Sequence, residues 1–211
     1  MTAPLATTPT DQADRFFSWL RAVGVVLPSC AIKQNQPGER LRVAHTALAA
    51  AAADRDCGAV APERLALVPV TQQHWPTLCR LRVRPEQEPF VPPPLAVLRA
   101  QTFDPANPSD VFAIELDGRP IGMFTSKPRR PNLVWFAHFL VDQSVQGRGI
   151  GRWAFQSYLN MLARAGFRGN VGLNVHRDNP AVIQFYSEQG FSFDPTNDVG
   201  EHLGMQVTLP G

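Results

Sequence analysis

Cysteine is scarce in this chain. Its 211 residues include Cys30, Cys57 and Cys79, an odd number at wide spacing with no Cys-x-x-Cys pair. That argues against a disulfide framework and against a zinc site. The five histidines, His45, His74, His138, His176 and His202, make no metal-ligand spacing either, so no metal is expected. Charge of one sign is also lacking. The formal net charge is +2 and no run of like charges occurs, so nothing in the sequence points to nucleic acid. No apolar run approaches membrane-spanning length, and no membrane partner is expected. The N-terminus has no Lys or Arg before Arg15 and no apolar core after Met1, unlike a secretory signal. A cytoplasmic location is the simplest expectation.

What remains is a globular composition, 44% hydrophobic and 18% charged. The length suits one moderate domain with a full core, or one domain plus an appendage.

The most informative stretch runs from Leu133 to Gly151. Leu133 to Val141 is apolar apart from His138 and reads as a buried strand. Asp142 to Val145 follows, then Gln146-Gly147-Arg148-Gly149-Ile150-Gly151. Beyond it Phe155, Tyr158, Leu159 and Leu162 recur at helical spacing, and Gly166 stands where a helix often ends in a left-handed residue. A helix therefore begins inside the glycines. Its first turn has unpartnered N–H groups and a positive dipole end, and glycines let an anion approach without meeting a Cβ. A phosphate or pyrophosphate is the natural ligand, and a tight turn with no ligand is the alternative. No Lys-Ser or Lys-Thr follows the last glycine, so this is not an ATP-type phosphate loop.

Gln-Gly-Arg-Gly-Ile-Gly after an apolar strand ending Val-Asp resembles the acetyl-CoA motif of the GNAT N-acetyltransferase superfamily, Gln/Arg-x-x-Gly-x-Gly/Ala. A second match lies downstream. Asn179-Pro180-Ala181-Val182-Ile183-Gln184-Phe185-Tyr186-Ser187-Glu188-Gln189-Gly190-Phe191 resembles the family segment Asn-x-x-Ala-x-x-x-Tyr-x-x-x-Gly-Phe. The resemblance covers roughly Leu65 to Leu209. A finer likeness, to the branch that includes bacterial polyamine acetyltransferases, rests on Leu81, Val83, Gln87, Phe90 and Val91 and on Val134-Trp135-Phe136. That branch usually continues with Asp and Arg, where this chain has Ala137 and His138.

In chain order, Met1 to Thr10 reads as unstructured. Helices are expected around Phe16–Val23 and Leu41–Ala53, making residues 1–62 a helical extension of unknown role that packs on the main domain or on a partner. Residues 63–211 form the family-like domain. Leu65–Val70 reads as a strand, and Thr71 as the cap of a helix carrying Trp75, Leu78, Cys79 and Arg82. Prolines exclude a long helix between Arg84 and Pro94. A short helix is expected over Leu95–Gln101. Strands follow at Val111–Leu116 and Pro120–Ser126, joined by an Asp117-Gly118 hairpin turn. Lys127–Pro131 reads as a basic loop. After the glycine-rich helix come a strand at Val171–Val175, a helix at Asn179–Gln189 and one or two strands within Gly200–Leu209. The order agrees with an α/β GNAT fold, a mixed and mostly antiparallel central sheet flanked by helices.

The resemblance implies transfer of the acetyl group of acetyl-CoA, as co-substrate, to a primary amine on a small molecule or peptide. It implies pyrophosphate contacts from Gln146, Gly147, Arg148, Gly149, Ile150, Gly151 and Arg152. It places the thioester along Phe139, Leu140 and Val141, with a further cofactor contact from Asn179, which also caps its helix. Tyr186 stands where the family has its general acid, close to the cofactor sulfur. Read without the family, Tyr186 is a core tyrosine beside Val182 and Phe185. His138 is the titratable side chain of the central strand and suits a proton acceptor near neutral pH, or is simply a hydrogen-bonded, half-buried histidine. Glu115 is the rival base. Glu86, Glu88, Asp104 and Asp110 could attract a cationic amine. A homodimer is one expected assembly. The other reading is a catalytically silent CoA-binding module that acts through its extension on a partner protein.

Overall fold

The computed structural model describes residues 60–103 and 109–209. The two N-terminal helices expected from sequence, and Asp104, lie outside them. The strands are β1 (Leu65–Pro69), β2 (Asp110–Leu116), β3 (Arg119–Arg130), β4 (Leu133–Val141), β5 (Gly169–His176), β6 (Ser192–Phe193) and β7 (His202–Leu209). The helices are α1 (Trp75–Leu78), α2 (Pro94–Phe103), α3 (Ile150–Arg164) and α4 (Pro180–Ser187). One seven-stranded sheet results, in the order β1-β2-β3-β4-β5-β7-β6. Every pairing is antiparallel except β4 with β5. That parallel step needs a crossover, which α3 supplies.

Alternation along the strands divides the core between the two faces. Phe112, Phe124 and Phe136 meet Phe155 and Tyr158 of α3 on one face, and α4 adds Tyr186 to the same cluster. Val68, Ala113 and Met123 meet Leu78, Val97 and Leu98 on the other, under α1 and α2. Burying side chains of this size contributes about 1.5–3 kcal/mol each. The Tyr158 hydroxyl is hydrogen-bonded to Ser126 Oγ at 2.5 Å, so the one polar atom of that buried ring has a partner.

Asp117 and Gly118 both have positive φ, 50° and 79°, as the shortest hairpin turn requires. Two expectations are corrected. The helix after Thr71 does not reach Arg82. Thr71 N–H donates to His74 Nδ1 at 3.0 Å and opens a 3-10 turn over Gln72–His74, followed by the single turn α1. Arg82 N–H is drawn to Asp142 Oδ2 at 3.0 Å, which pulls the chain out of the helix. Lys127–Arg130 is not a loop but the end of β3, opposite Leu133–Trp135. There the Arg129 guanidinium lies 4.7 Å from the centre of the Trp135 ring and holds the hairpin closed. Among the described residues, no helix is long and apolar enough to cross a membrane.

Candidate active site

The site starts from a pairing that stops. β4 pairs with β5 through Leu133, Val134 and Trp135 alone, opposite Asn170, Val171 and Gly172. β5 continues to His176 along β7, and β4 continues to Val141 along β3. Between them a wedge opens whose β4 wall, Phe136 to Val141, has backbone groups with no strand partner on the β5 side. At the narrow end, a Cβ on Gly172 would lie 2.6 Å from the Trp135 ring, so only glycine lets the two strands meet there. The sequence places Phe139, Leu140 and Val141 on the open stretch. The Phe139 ring stacks on Phe185 of α4 at 6.2 Å.

At the wide end stands the glycine-rich turn. Gly147 and Gly149 have φ of 79° and 75°, and Gly149 caps α3 without a side chain. The first helical bond runs from Trp153 N–H to Gly149 O at 2.9 Å. The amides of Ile150, Gly151 and Arg152 precede it at the positive end of the helix. A Cβ built on Gly147 or Gly149 would have no atom of another described residue, its chain neighbours aside, within 4 Å. The turn is therefore an open cradle that a side chain would fill, which is the form an anion needs. Arg148 is exposed beside it. Arg152 is committed elsewhere, to Glu188 at 3.1 Å. Asn179 caps α4 by accepting from Val182 N–H at 3.2 Å.

Tyr186 packs its ring against Phe155, Phe185 and Phe191. Its hydroxyl has no hydrogen bond to another described residue, and burial pushes the phenol up, so it keeps its proton near neutrality. His138 stands at a break in β4. Met123 pairs with Leu140 and Thr125 with Ala137, so Phe124 faces both His138 and Phe139, and His138 has φ of 53°. Thr125 Oγ1 donates to the Ala137 carbonyl at 3.2 Å. Its oxygen also lies 2.9 Å from His138 Nδ1; with the hydroxyl hydrogen on the Ala137 carbonyl, Nδ1–H donates to Thr125 and Nε2 is the unprotonated nitrogen. His138 is exposed at its rim, yet partial desolvation lowers its pKa below the usual histidine value. Glu115 is not brought to this point. It is buried with Oε1 3.6 Å from His74 Nε2. On β2 it lies four residues, about 13 Å, beyond Val111, the residue level with Thr125.

A model of the acetyltransferase (GNAT) family matches residues 75–191, more than half of the chain. The chain belongs to the GNAT acetyltransferase family. Membership makes it an acyltransferase, and the wedge and glycine turn both lie within the matched region. The fold is shared by an acetyltransferase from Thermus thermophilus at 24% identity and a TM-score of 0.58, over 69% of this chain and 97% of that one. The ribosomal-protein-S18-alanine N-acetyltransferase of Escherichia coli is 18% identical with a TM-score of 0.54, over 70% and 95%. A GNAT family acetyltransferase from Elizabethkingia anophelis with acetyl-CoA bound is 11% identical with a TM-score of 0.50, over 70% and 99%. No curated protein matches the chain.

Sequence reasoning missed several residues of this GNAT site. Thr125, which orients His138, lies thirteen positions away on another strand. Gln87, noted only for its family likeness, accepts from Gln146 Nε2 at 2.9 Å. Phe90 lies 5.3 Å, ring centre to ring centre, from His176 at the end of β5. No local pattern announces such contacts across the sheet.

Proposed function

We propose that the protein transfers the acetyl group of acetyl-CoA to a primary amine, with polyamines and other small amines the first acceptors to try. The observation that carries this is the wedge between β4 and β5 opening onto an uncovered glycine cradle at the start of α3. Acetyl-CoA supplies an acetyl group activated as a thioester. The amides of the Gln146–Arg152 turn hold its pyrophosphate, and Arg148 adds charge. Asn179 adds a contact from the head of α4. The unpaired backbone of Phe139, Leu140 and Val141 holds the pantetheine arm, and one of its N–H groups offsets negative charge developing on the acetyl oxygen. His138 Nε2 takes the proton of the incoming ammonium. Tyr186, kept protonated by burial, donates to the departing thiolate. The likeness at Leu81–Val91 and Val134–Phe136 supports a polyamine acceptor.

Free-thiol release from acetyl-CoA across a panel of polyamines, amino-acid amines and peptide amino termini tests this. Release with diamines or polyamines is the expected result. Turnover confined to peptide amino termini would replace the small-amine reading. CoA binding without release from any amine would make the protein a silent module.

A further inference from the structure

Residues 85–90 form a strap whose two ends meet opposite sides of the wedge. Pro85–Phe90 is a 3-10 turn that runs over the wide end. Gln87 fastens it to the β4 side through Gln146, and Phe90 to the β5 side through the His176 ring. The His176 ring is itself held edge-on by His202 of β7, 5.2 Å away. Only two residues, Glu88 and Pro89, separate Gln87 from Phe90, so the strap has little slack.

The fastening at Gln87 has a direction. The Val141 carbonyl can only accept, so Gln146 must present its NH2 there, at 2.8 Å. The second hydrogen of that NH2 then reaches Gln87 Oε1 at 2.9 Å. Arg84 N–H, which can only donate, reaches the same Gln87 oxygen at 3.1 Å. Both fixed groups demand the same orientation of the two amides. Gln87 therefore works as a double acceptor, and its own NH2 has no partner among the described residues. Gln146 works as a double donor. It also sits at the head of the glycine turn, where a Cβ on Gly147 or Gly149 would meet no other described residue within 4 Å. Among the described residues, the one hydrogen bond to residues 147–149 from outside the turn and its helix is the long Val60 N–H to Arg148 carbonyl bond at 3.4 Å.

We infer that Gln87 is a positioning residue that couples the two substrate sites: filling the glycine turn fixes Gln146, and Gln146 draws the strap closed over the wedge. This rests on the CoA-binding reading above. Coupling of this kind makes the donor raise acceptor affinity, and linkage makes the effect reciprocal. Gln87 touches neither the thioester nor the amine. Its effect falls on acceptor KM, with kcat at saturation retained.

Hydrogen exchange of the full chain with and without coenzyme A, with calorimetry alongside, tests the coupling before any acceptor is known. Coenzyme A should slow exchange across residues 84–91 by about tenfold in the natural protein. Gln87→Met, which keeps the length and removes the acceptor oxygen, should abolish that slowing while coenzyme A still binds. Gln87→Glu restores a double acceptor and should restore the slowing. Gln146→Glu turns the donor into an acceptor against two oxygens and should loosen residues 84–91 even without coenzyme A. Equal slowing in the natural protein and Gln87→Met, or none in either despite binding, overturns the coupling. Failure of coenzyme A to bind at all would instead overturn the function proposed above, and the coupling with it.

Discussion

The two sides of β4 are opposites. Toward β3 the strand is paired on both sides of the break at His138, and beyond it the strands approach so tightly that a Cβ on Gly122 would lie 2.6 Å from the Leu140 carbonyl. Toward β5 it is closed for three residues and then open. One strand thus serves as a wall of the core and as a binding edge. An unpaired edge inside a sheet is normally a liability, since its backbone groups seek partners. Here the missing partner strand leaves the place that an extended, hydrogen-bonding arm can take.

The largest expected effect separates the two buried tyrosines of the α3–α4 face. Tyr186→Phe removes the donor on the open side and should lower kcat by roughly ten- to thousand-fold, with melting temperature and acetyl-CoA affinity nearly unchanged. Tyr158→Phe removes the partner of Ser126 on the closed side and should cost about 1–3 kcal/mol of stability with kcat retained. Steady-state kinetics and thermal melts of both variants check this. A Tyr186→Phe protein that loses stability in step with activity would make that residue part of the packing alone.

Gly122→Val should come next. It forces β3 from β4 where no flexible side chain can yield, and should cost about 3 kcal/mol, read by urea denaturation. Gly149→Val tests the open side. There the Cβ meets no other described residue within 4 Å and points into the space assigned to pyrophosphate. Acetyl-CoA affinity measured by calorimetry should fall by about a hundredfold, beside a backbone penalty of about 1–2 kcal/mol for the left-handed conformation. Unchanged affinity would remove the cradle from the mechanism.

The smallest effect concerns pH. Desolvation lowers the His138 pKa below the usual value of about 6.5, so the imidazole is neutral at neutral pH and becomes protonated only on acidification. If it is the base, kcat/KM falls as pH drops through a value under that, and His138→Gln removes this limb. Thr125→Val, which leaves Nδ1 without its acceptor, should shift the limb rather than erase it. A limb that survives in His138→Gln would take the proton away from His138 and assign it to another group or to water. The same depression has a stability sign. The folded state resists protonation at His138, so stability is unaffected above the unfolded value and declines as pH falls beneath it.

Much of this was legible in the sequence because it is local. β4 spans Leu133–Val141 as its apolar run implies, and the glycines with positive φ stand in the turn where an anion cradle was expected. The Asp117-Gly118 turn and the Asn179 cap are likewise written in neighbouring residues. What escaped is what distant partners decide. Arg82 leaves its helix for Asp142, and Lys127–Arg130 becomes strand because β4 lies opposite. The opening of the wedge depends on where β5 finds β7 and leaves β4, a matter of register that neither strand encodes alone. Glu115 looked a rival to His138 because strand positions were known without their levels along the sheet.

The extra residue at His138 also sets how this strand tolerates change in length. In an unbroken strand, residues three apart point to opposite faces. Phe136 and Phe139 nevertheless share a face, with ring centres 5.4 Å apart, and both contact Phe124. β4 is therefore two half-strands out of phase by one residue. Deleting a single residue at Ala137 or His138 would remove the extra residue and bring the halves into phase, with the second half keeping its present faces. Phe139 would stay in the aromatic cluster and Leu140 on the α2 side, so the loss of one residue at this place changes the break and not the facing. A deletion in the Pro195–Asn197 turn leaves that alternation untouched.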